Sequence, residues 1–493
     1  MSKLVAILGT SSSAGKSTLV LLICRLLHRL GINVVPFKPQ NMSLNSTSTQ
    51  RGEEIAYAQY LQAKVCNIEP FALINPVLLK PLGEYRSEVI VLGRPLKLTS
   101  PSSYYNLTTG ILREIIEISI RNLLNRFDVV IMEGAGSAFE PNLAARDIAN
   151  MFPLLYCIKN KIELDIIIVA DIYRGGAYTS LLGTYYSLPR KLQKHVRGFI
   201  LNKFCGDEKL LENANKWLES RTGKPVLGVL KLDDNLNLMP EDSLNVCNIV
   251  PEKYNIDVAV IAYPYMANFN ELFFLKYIDS VSVRYVRTPS ELGEPDIIVL
   301  PGSRNVFKSL QYVKKLEFDK KLHKLAGSCI IVGICGGFQI LSREIEDATG
   351  LETGSATYAR GLGFLDTRFV YTQEKVIART CAITLGCSFC SEGILVRGYE
   401  IHRGVQVDSR RYLFKIVERN RVRLKLFEGA VNERLLVFGT SIHEVLLNTK
   451  FLQELLRNVG KNIPEIDPFE MFVHACDLAV NKIRRCVSLE WLI

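Results

Sequence analysis

The sequence predicts an α/β chain built from two parallel-sheet domains in series, and three stretches carry that expectation. Lys3–Leu8 is a short apolar run with Val and Ile, which suits a parallel strand buried on both faces. It enters a small polar loop, Gly9–Lys16, and Thr18–His28 follows with the apolar spacing of a helix. A second pattern of this kind, Ser328–Ile334 running into Cys335-Gly336-Gly337, stands in the second half of the chain. Between the two, Leu232–Val246 (LDDNLNLMPEDSLNV) is polar and irregular, as a linker is. The expected layout is a first domain over 1–235, a linker over 236–254, a second domain over 255–450 and a helical tail over 451–493.

Composition fits this layout. A chain of 493 residues is expected to hold two or more domains. Hydrophobic residues at 48% and charged residues at 22% describe an ordinary globular protein. No apolar stretch reaches membrane-spanning length without a charge, so no membrane partner is expected. The phosphate-loop pattern begins at the N-terminus with no signal segment before it, so the expected location is cytoplasmic. The net charge of +10 comes without a Lys/Arg run like a nucleic-acid tail. A mildly basic surface suits anionic small substrates as well as nucleic acid, so charge alone decides nothing, and no nucleic-acid partner is expected. The twelve Cys of such a chain are expected to be mostly buried apolar residues. Cys381, Cys387 and Cys390 lie near one another and are candidates for a metal site or a disulfide, but no fourth ligand is evident, and scattered free thiols are the favoured reading.

The first loop carries chemistry. Strand, Gly-rich loop and helix form the setting of a phosphate-binding loop. Small residues let backbone N–H groups curl around phosphate oxygens, and the helix N-terminus adds its dipole. Gly9, Thr10 and Gly15 shape the loop, Lys16 reaches the outer phosphates, and the Ser17 hydroxyl is placed for Mg2+. Five residues separate Gly9 from Gly15, one more than in the common form. That longer form, opened by Gly-Thr, resembles the loop of the dethiobiotin synthetase group of carboxylate-activating ATPases. Nucleotide-switch ATPases of the ParA/MinD type carry a second lysine where this chain has Ser11.

Further strands follow. Gly31–Pro36 ends the helix and opens the second strand, and PFKPQNMSLNS (Pro36–Ser46) comes next. Lys38 falls at the carboxyl end of that strand, where open α/β sheets bind ligands. Asp128–Met132 is a buried strand leading to Glu133, and a carboxylate there can hold Mg2+ opposite Ser17. Asp165–Ala170 leads to Asp171 and then Arg174-Gly175-Gly176. Gly198–Asn202 ends in Asn202-Lys203, which is similar to the adenine-side loop of related ATPases.

PFKPQNMSLNS, Glu54, Ala58-Gln59 and Asn75–Pro81 together resemble the cobyric acid synthase family, the glutamine-hydrolysing enzymes of cobalamin biosynthesis. The resemblance continues in order through Val130–Ser137, Asn142, Arg146-Asp147-Ile148, Val169–Gly176, Gly198–Asp207, Thr222–Leu230 and Pro240–Ser243. It implies ATP with Mg2+, ATP or phosphate contacts from Lys38 and Asn202, and Ser17, Glu54 and Glu133 as the Mg2+ residues. Its members usually carry Asp where this chain has Tyr173, which leaves that position without an assigned role.

The second pattern reads as a nucleophile elbow. A Cys on a sharp strand-to-helix turn is exposed by the turn, and the helix N-terminus lowers its pKa. Backbone N–H groups of Gly336 and of the Gly302 loop can form an oxyanion hole. GICGGFQIL (Gly333–Leu341) resembles the class I glutaminase domain, a flavodoxin-like α/β fold. Six His are present. His443, in VFGTSIHEVL, follows a strand and matches the catalytic-histidine segment of the resemblance; His402, in GYEIHRG, is the alternative. Class I glutaminases carry Glu two residues after that His. Here Val445 stands there, and Glu444, adjacent to His443, would point away on an extended segment.

The combined expectation is an ATP-dependent amidation fed by ammonia from L-glutamine. The resemblance implies a corrinoid substrate, adenosylcobyrinic acid a,c-diamide, amidated at b, d, e and g. Two alternatives stand beside it: the sister enzyme that makes cobyrinic acid a,c-diamide, and a ParA/MinD-type switch that performs no amidation.

Overall fold

The computed structural model describes residues 2–83, 86–99, 104, 107–231, 248–251, 253–278 and 281–492. The chain forms two compact units. One comprises Met1–Met42, Ile55–Leu238 and Val473–Ile493, and the other Ser43–Glu54 and Met239–Phe472. Most of the expected linker, residues 236–247 and 252, lies outside the described residues. Among the described residues no helix is long and apolar enough to cross a membrane.

The first unit is built on six parallel strands: β1 (Lys3–Gly9), β2 (Val34–Phe37), β3 (Val129–Glu133), β4 (Glu163–Asp171), β5 (Val196–Phe204) and β6 (Val226–Lys231). Their order in the sheet is β6-β5-β4-β1-β3-β2, so β1 is central, flanked by β4 and β3. Leu4, Ala6, Leu8, Val130, Met132, Ile166 and Ile168 are all buried in its core. That is why these strands read as unbroken apolar runs, for helices cover both faces of such a sheet. Helix α1 (Lys16–Arg29) leaves β1 through the Gly9–Gly15 loop. The order reverses at β1, which makes its carboxyl end a topological switch point where ligands bind.

The second unit holds another mostly parallel sheet. Its strands are β7 (Ile256–Ile261), β8 (Val281–Val286), β9 (Ile297–Leu300), β10 (Ile330–Ile334), β13 (Ala430–Asn432) and β14 (Val437–Thr440), numbered after the hairpin that interrupts them. The order is β8-β7-β9-β10-β14-β13, and β13 alone runs antiparallel to its neighbour. The hairpin consists of two long strands, β11 (Thr367–Cys387) and β12 (Cys390–Ser409). Nothing in the local pattern announced strands of this length. Register shifts between Arg368 and Phe369, Tyr371 and Val376, and Ile383 and Leu385 break the ladder, as bulges do.

The segment after residue 450 divides between the units. Phe451, Leu452, Leu455 and Leu456 are buried in the core of the second. Helix α2 (Pro468–Cys486) carries buried Cys476, Ala479, Val480 and Ile483, spaced on one helical face, and these residues belong to the first unit. Asp477 on it takes a bidentate pair from Arg25 at 2.8 and 2.9 Å. Val487 then bridges Gly228 of β6.

Candidate active site

In the first unit the carboxyl ends of β1, β2, β3 and β5 gather the phosphate-loop residues. Gly15 has φ +97, and a Cβ there would sit 1.9 Å from Asn202 Nδ2. Glycine takes this φ without strain, whereas a Cβ would be strained and would push the Asn202 amide aside. Asn202 donates to the Ala14 carbonyl at 2.9 Å, and Lys203 donates to the Ser13 carbonyl at 2.7 Å. The end of β5 therefore shapes the loop from beneath. Thr10 N–H donates to the Val169 carbonyl at 2.9 Å, fixing the loop's start against β4. Lys16 Nζ donates to the carbonyls of Ser11 and Gly136, at 2.9 and 2.8 Å.

Glu133 is the hub. Its Oε1 accepts from Ser17 Oγ at 2.6 Å and pairs with Lys38 Nζ at 2.8 Å. Its Oε2 accepts from Gln59 at 3.1 Å and Gln62 at 2.7 Å. Burial pushes the carboxyl up, but the Lys38 charge and the donated hydrogen bonds outweigh it and hold Glu133 below its ordinary range. Ser17 and Glu133 thus offer adjacent hard oxygen donors, a donor set that fits Mg2+. Gln59 and Gln62, three apart on one helix face, had no assigned role in the sequence; amides at i and i+3 are the signal that points to them. Asn150 was likewise unforeseen. It clasps the turn after β3 by accepting from Ala135 N–H at 3.0 Å and donating to the Ala135 and Ser137 carbonyls.

In the second unit β10 ends at Cys335, which has φ 51 and ψ −103. Non-glycine residues rarely adopt this conformation, and surrounding structure must hold it. Cys335 N–H donates to the Thr440 carbonyl at 2.8 Å, and Gln339 N–H to the Cys335 carbonyl at 3.1 Å. The buried sulfur lies 3.8 Å from the Ile401 carbonyl. A Cβ on Gly336 would meet Ser303 N at 2.6 Å, and one on Gly302 would meet His443 Cε1 at 3.1 Å. Cys335, Gly336, the Gly302-Ser303 turn and His443 therefore converge, from the ends of β9, β10 and β14. Tyr263 and Tyr371 line the same place. Burial pushes both phenols well above their ordinary values, and at Tyr371 the neighbouring Glu352 carboxyl adds to it.

His402 sits in a different network. Its ring nitrogens face the Gly404 carbonyl at 2.8 Å and Glu400 Oε1 at 3.3 Å. Burial would raise Glu400, yet His402 and the bidentate Arg419 hold it down to about 2. Glu444 has φ 67 and pairs with Arg379 at 2.6 Å.

Two family models cover almost all of the chain. Residues 5–246 match a CobQ/CobB/MinD/ParA nucleotide binding domain, and residues 257–451 match a CobB/CobQ-like glutamine amidotransferase domain. A cobyric acid synthase from Pelotomaculum thermopropionicum is 39% identical over 92% of this chain and 87% of its own length. A probable cobyric acid synthase from Methanosarcina mazei is 40% identical over 99% of this chain and 98% of its own. One from Clostridium botulinum is 36% identical over the same shares, 99% and 98%. The chain belongs to the cobyric acid synthase family. Its activity is glutamine-dependent amidation in cobalamin biosynthesis, divided between a P-loop half and a glutamine amidotransferase half.

Within this cobyric acid synthase fold the remaining sequence expectations find their places. Glu54 belongs to the second unit, where it accepts from Ser46 Oγ at 2.8 Å and pairs with Lys375 at 2.7 Å; Ser17 and Glu133 are brought together in the first. Tyr173 turns its side chain to solvent, while its N–H donates to Asp171 Oδ1 at 2.9 Å. Asp171 also receives Lys203 Nζ at 2.9 Å. Of the three neighbouring cysteines, Cys387 and Cys390 close the tip of the β11–β12 hairpin with sulfurs 3.9 Å apart. Cys381 lies further along β11, opposite Arg397 and Glu418.

Proposed function

We propose that the protein converts the b, d, e and g carboxylates of adenosylcobyrinic acid a,c-diamide to amides, using MgATP and L-glutamine, to give adenosylcobyric acid. The observation that carries the glutamine half is the convergence of Cys335, Gly336, Gly302 and His443. His443 takes the thiol proton, and the Cys335 sulfur attacks the glutamine side-chain carbonyl carbon. The backbone N–H groups of Gly336 and of the Gly302 turn hold the resulting oxyanion. Collapse expels ammonia, with His443 returning the proton. Water, deprotonated by His443, then hydrolyses the thioester to glutamate.

In the P-loop half the substrate carboxylate oxygen attacks the γ-phosphorus of ATP, ADP departs, and an acyl phosphate forms. Ammonia attacks its carbonyl carbon, and phosphate leaves. Gly9, Thr10 and Gly15 cradle the phosphates, Lys16 and Lys38 offset their charge, and Asn202 props the loop. Ser17 and Glu133 would hold Mg2+, which supplies charge neutralisation at the phosphoryl oxygens.

The test is mass spectrometry of adenosylcobyrinic acid a,c-diamide incubated with the protein, MgATP and glutamine. Successive replacement of OH by NH2 up to the fully amidated product supports the reading. Amidation of cobyrinic acid instead assigns the sister activity. A Cys335→Ala variant is expected to lose glutamine-driven amidation and keep the ammonia-driven reaction.

A further inference from the structure

Class I glutaminases fix their histidine with a carboxylate two residues onward, and this chain has buried Val445 there. The structure shows a ring placed to fix the imidazole plane. Tyr399 and His443 exchange both backbone hydrogen bonds: His443 N–H to the Tyr399 carbonyl at 2.8 Å, and Tyr399 N–H to the His443 carbonyl at 3.3 Å. Directly opposed residues of this kind put their side chains on the same face. The two rings accordingly lie nearly parallel, with centroids 4.8 Å apart and planes at 11°. Gly398 makes room for this approach, since a Cβ there would fall 2.0 Å from the His443 carbonyl oxygen.

Tyr399 is itself held. It is fully buried, and its hydroxyl accepts from Asn270 Nδ2 at 2.9 Å. The Arg379 guanidinium lies 5.5 Å from its ring and pairs with Glu444, next in the chain after His443. Glu271, beside Asn270 on the same short helix, accepts from Leu446 N–H at 3.1 Å. One helical turn thus grips both the stacking ring and the segment that carries the histidine.

We propose that Tyr399 is the positioning residue of His443, acting through its ring face where related glutaminases use a carboxylate. This rests on the reading of His443 as the base. A stack fixes the imidazole plane through its faces rather than through a ring nitrogen. Its electron-rich face also favours the imidazolium that forms when Cys335 gives up its proton. The hydroxyl serves to anchor the ring, so the ring and not the hydroxyl is the working part.

The experiment measures glutamate release from L-glutamine in the presence of MgATP and the corrinoid, with ammonia-driven amidation as the control for folding. It compares the wild type with Tyr399→Phe, Tyr399→Leu and His443→Ala. Misplacing a catalytic group by about 1 Å costs on the order of 100-fold, so Tyr399→Leu is expected to lose roughly that much in kcat, with KM for glutamine little changed. Tyr399→Phe is expected to stay within about 3-fold of wild type, since it keeps the stack. If Tyr399→Leu also loses the ammonia-driven reaction, Tyr399→Met, which fills the space without a ring, replaces it with the same expectation. A ring-less variant with wild-type kcat overturns the proposal, as does a change confined to KM or a Phe variant as impaired as the Leu variant. Glutaminase activity surviving in His443→Ala overturns instead the assignment of the base, so the two failures are separable.

Discussion

Lys38 and Glu133 form a buried ion pair, Nζ to Oε1 at 2.8 Å, at the ends of neighbouring parallel strands. The register of β2 on β3 sets Phe37 opposite Met132, so the next residue of each strand meets across the sheet. The sequence marks Lys38 as a phosphate contact and Glu133 as a Mg2+ residue; in the fold each also neutralises the other. The pair holds the carboxylate charged beside Ser17 and draws the lysine from the end of the edge strand β2 to the end of β3.

Breaking that pair leaves a charge buried without its partner. Lys38→Met is expected to destabilise the first unit by about 3–5 kcal/mol, measured by urea unfolding followed by hydrogen exchange in β2 and β3. Ammonia-driven amidation is expected to fall as well if the same cation serves the proposed role of offsetting charge on the transferring phosphoryl group. Unaltered stability together with unaltered amidation would mean that neither role is real.

Gly15→Ala strains the loop twice, through φ +97 and through the 1.9 Å approach to Asn202. Strain of about 1–3 kcal/mol translates to roughly 5–150-fold weaker MgATP binding. Calorimetric titration of MgATP checks this, with glutamate release retained as evidence that the other unit is intact. Binding as tight as in the wild type would show that the loop relaxes freely.

Stability of the second unit is expected to fall as pH rises through neutrality. Burial, then the nearby Glu400 charge, raises Glu428 from 4.5 to about 7, against hydrogen bonds from Ser441 and Thr440. The fold therefore favours the protonated form. Its contribution is fully present below pH 4.5 and is lost as pH rises through about 7. Glu352, at about 7, and Glu271, at about 8, act in the same sense, each raised chiefly by burial. Glu428→Gln is expected to make the decline shallower and to stabilise the unit at pH 8, read by denaturant unfolding across pH. A slope identical to wild type would show that Glu428 is not a contributor.

The Cys387–Cys390 pair predicts selective thiol chemistry. A hydrogen bond from Cys390 brings Cys387 down to about 7, against burial. Cys390 itself is raised. Alkylation of Cys387 by iodoacetamide is expected to rise through pH about 7, with the inflection moving upward in Cys390→Ala. Peptide mass spectrometry resolves the site, and an inflection indifferent to Cys390 would count against the pairing.

Much of the architecture was legible because its signals are local. A buried parallel strand, a small-residue loop and a helix follow one another within about twenty residues, and each has a distinct periodicity. The strands expected at Lys3–Leu8, Asp165–Ala170 and Ser328–Ile334 appear within two residues of the observed bounds. The hairpin of β11 and β12 was not legible. Its long strands alternate too irregularly to register as a sheet until they pair with each other.

By itself, the sequence determined that two α/β units would form, that one would turn through a phosphate loop at Gly15-Lys16-Ser17, and that the other would turn sharply at Cys335. Those shapes depend on residues adjacent in the chain. Only the tertiary structure decided that Gln59 and Gln62 donate to Glu133, that Ser43–Glu54 joins the second unit and Val473–Ile493 the first, and that Tyr399 stacks on His443. Such contacts depend on strand order and register, which bring together residues far apart in sequence. A local pattern of apolar and polar residues specifies which face is buried but not what is packed against it.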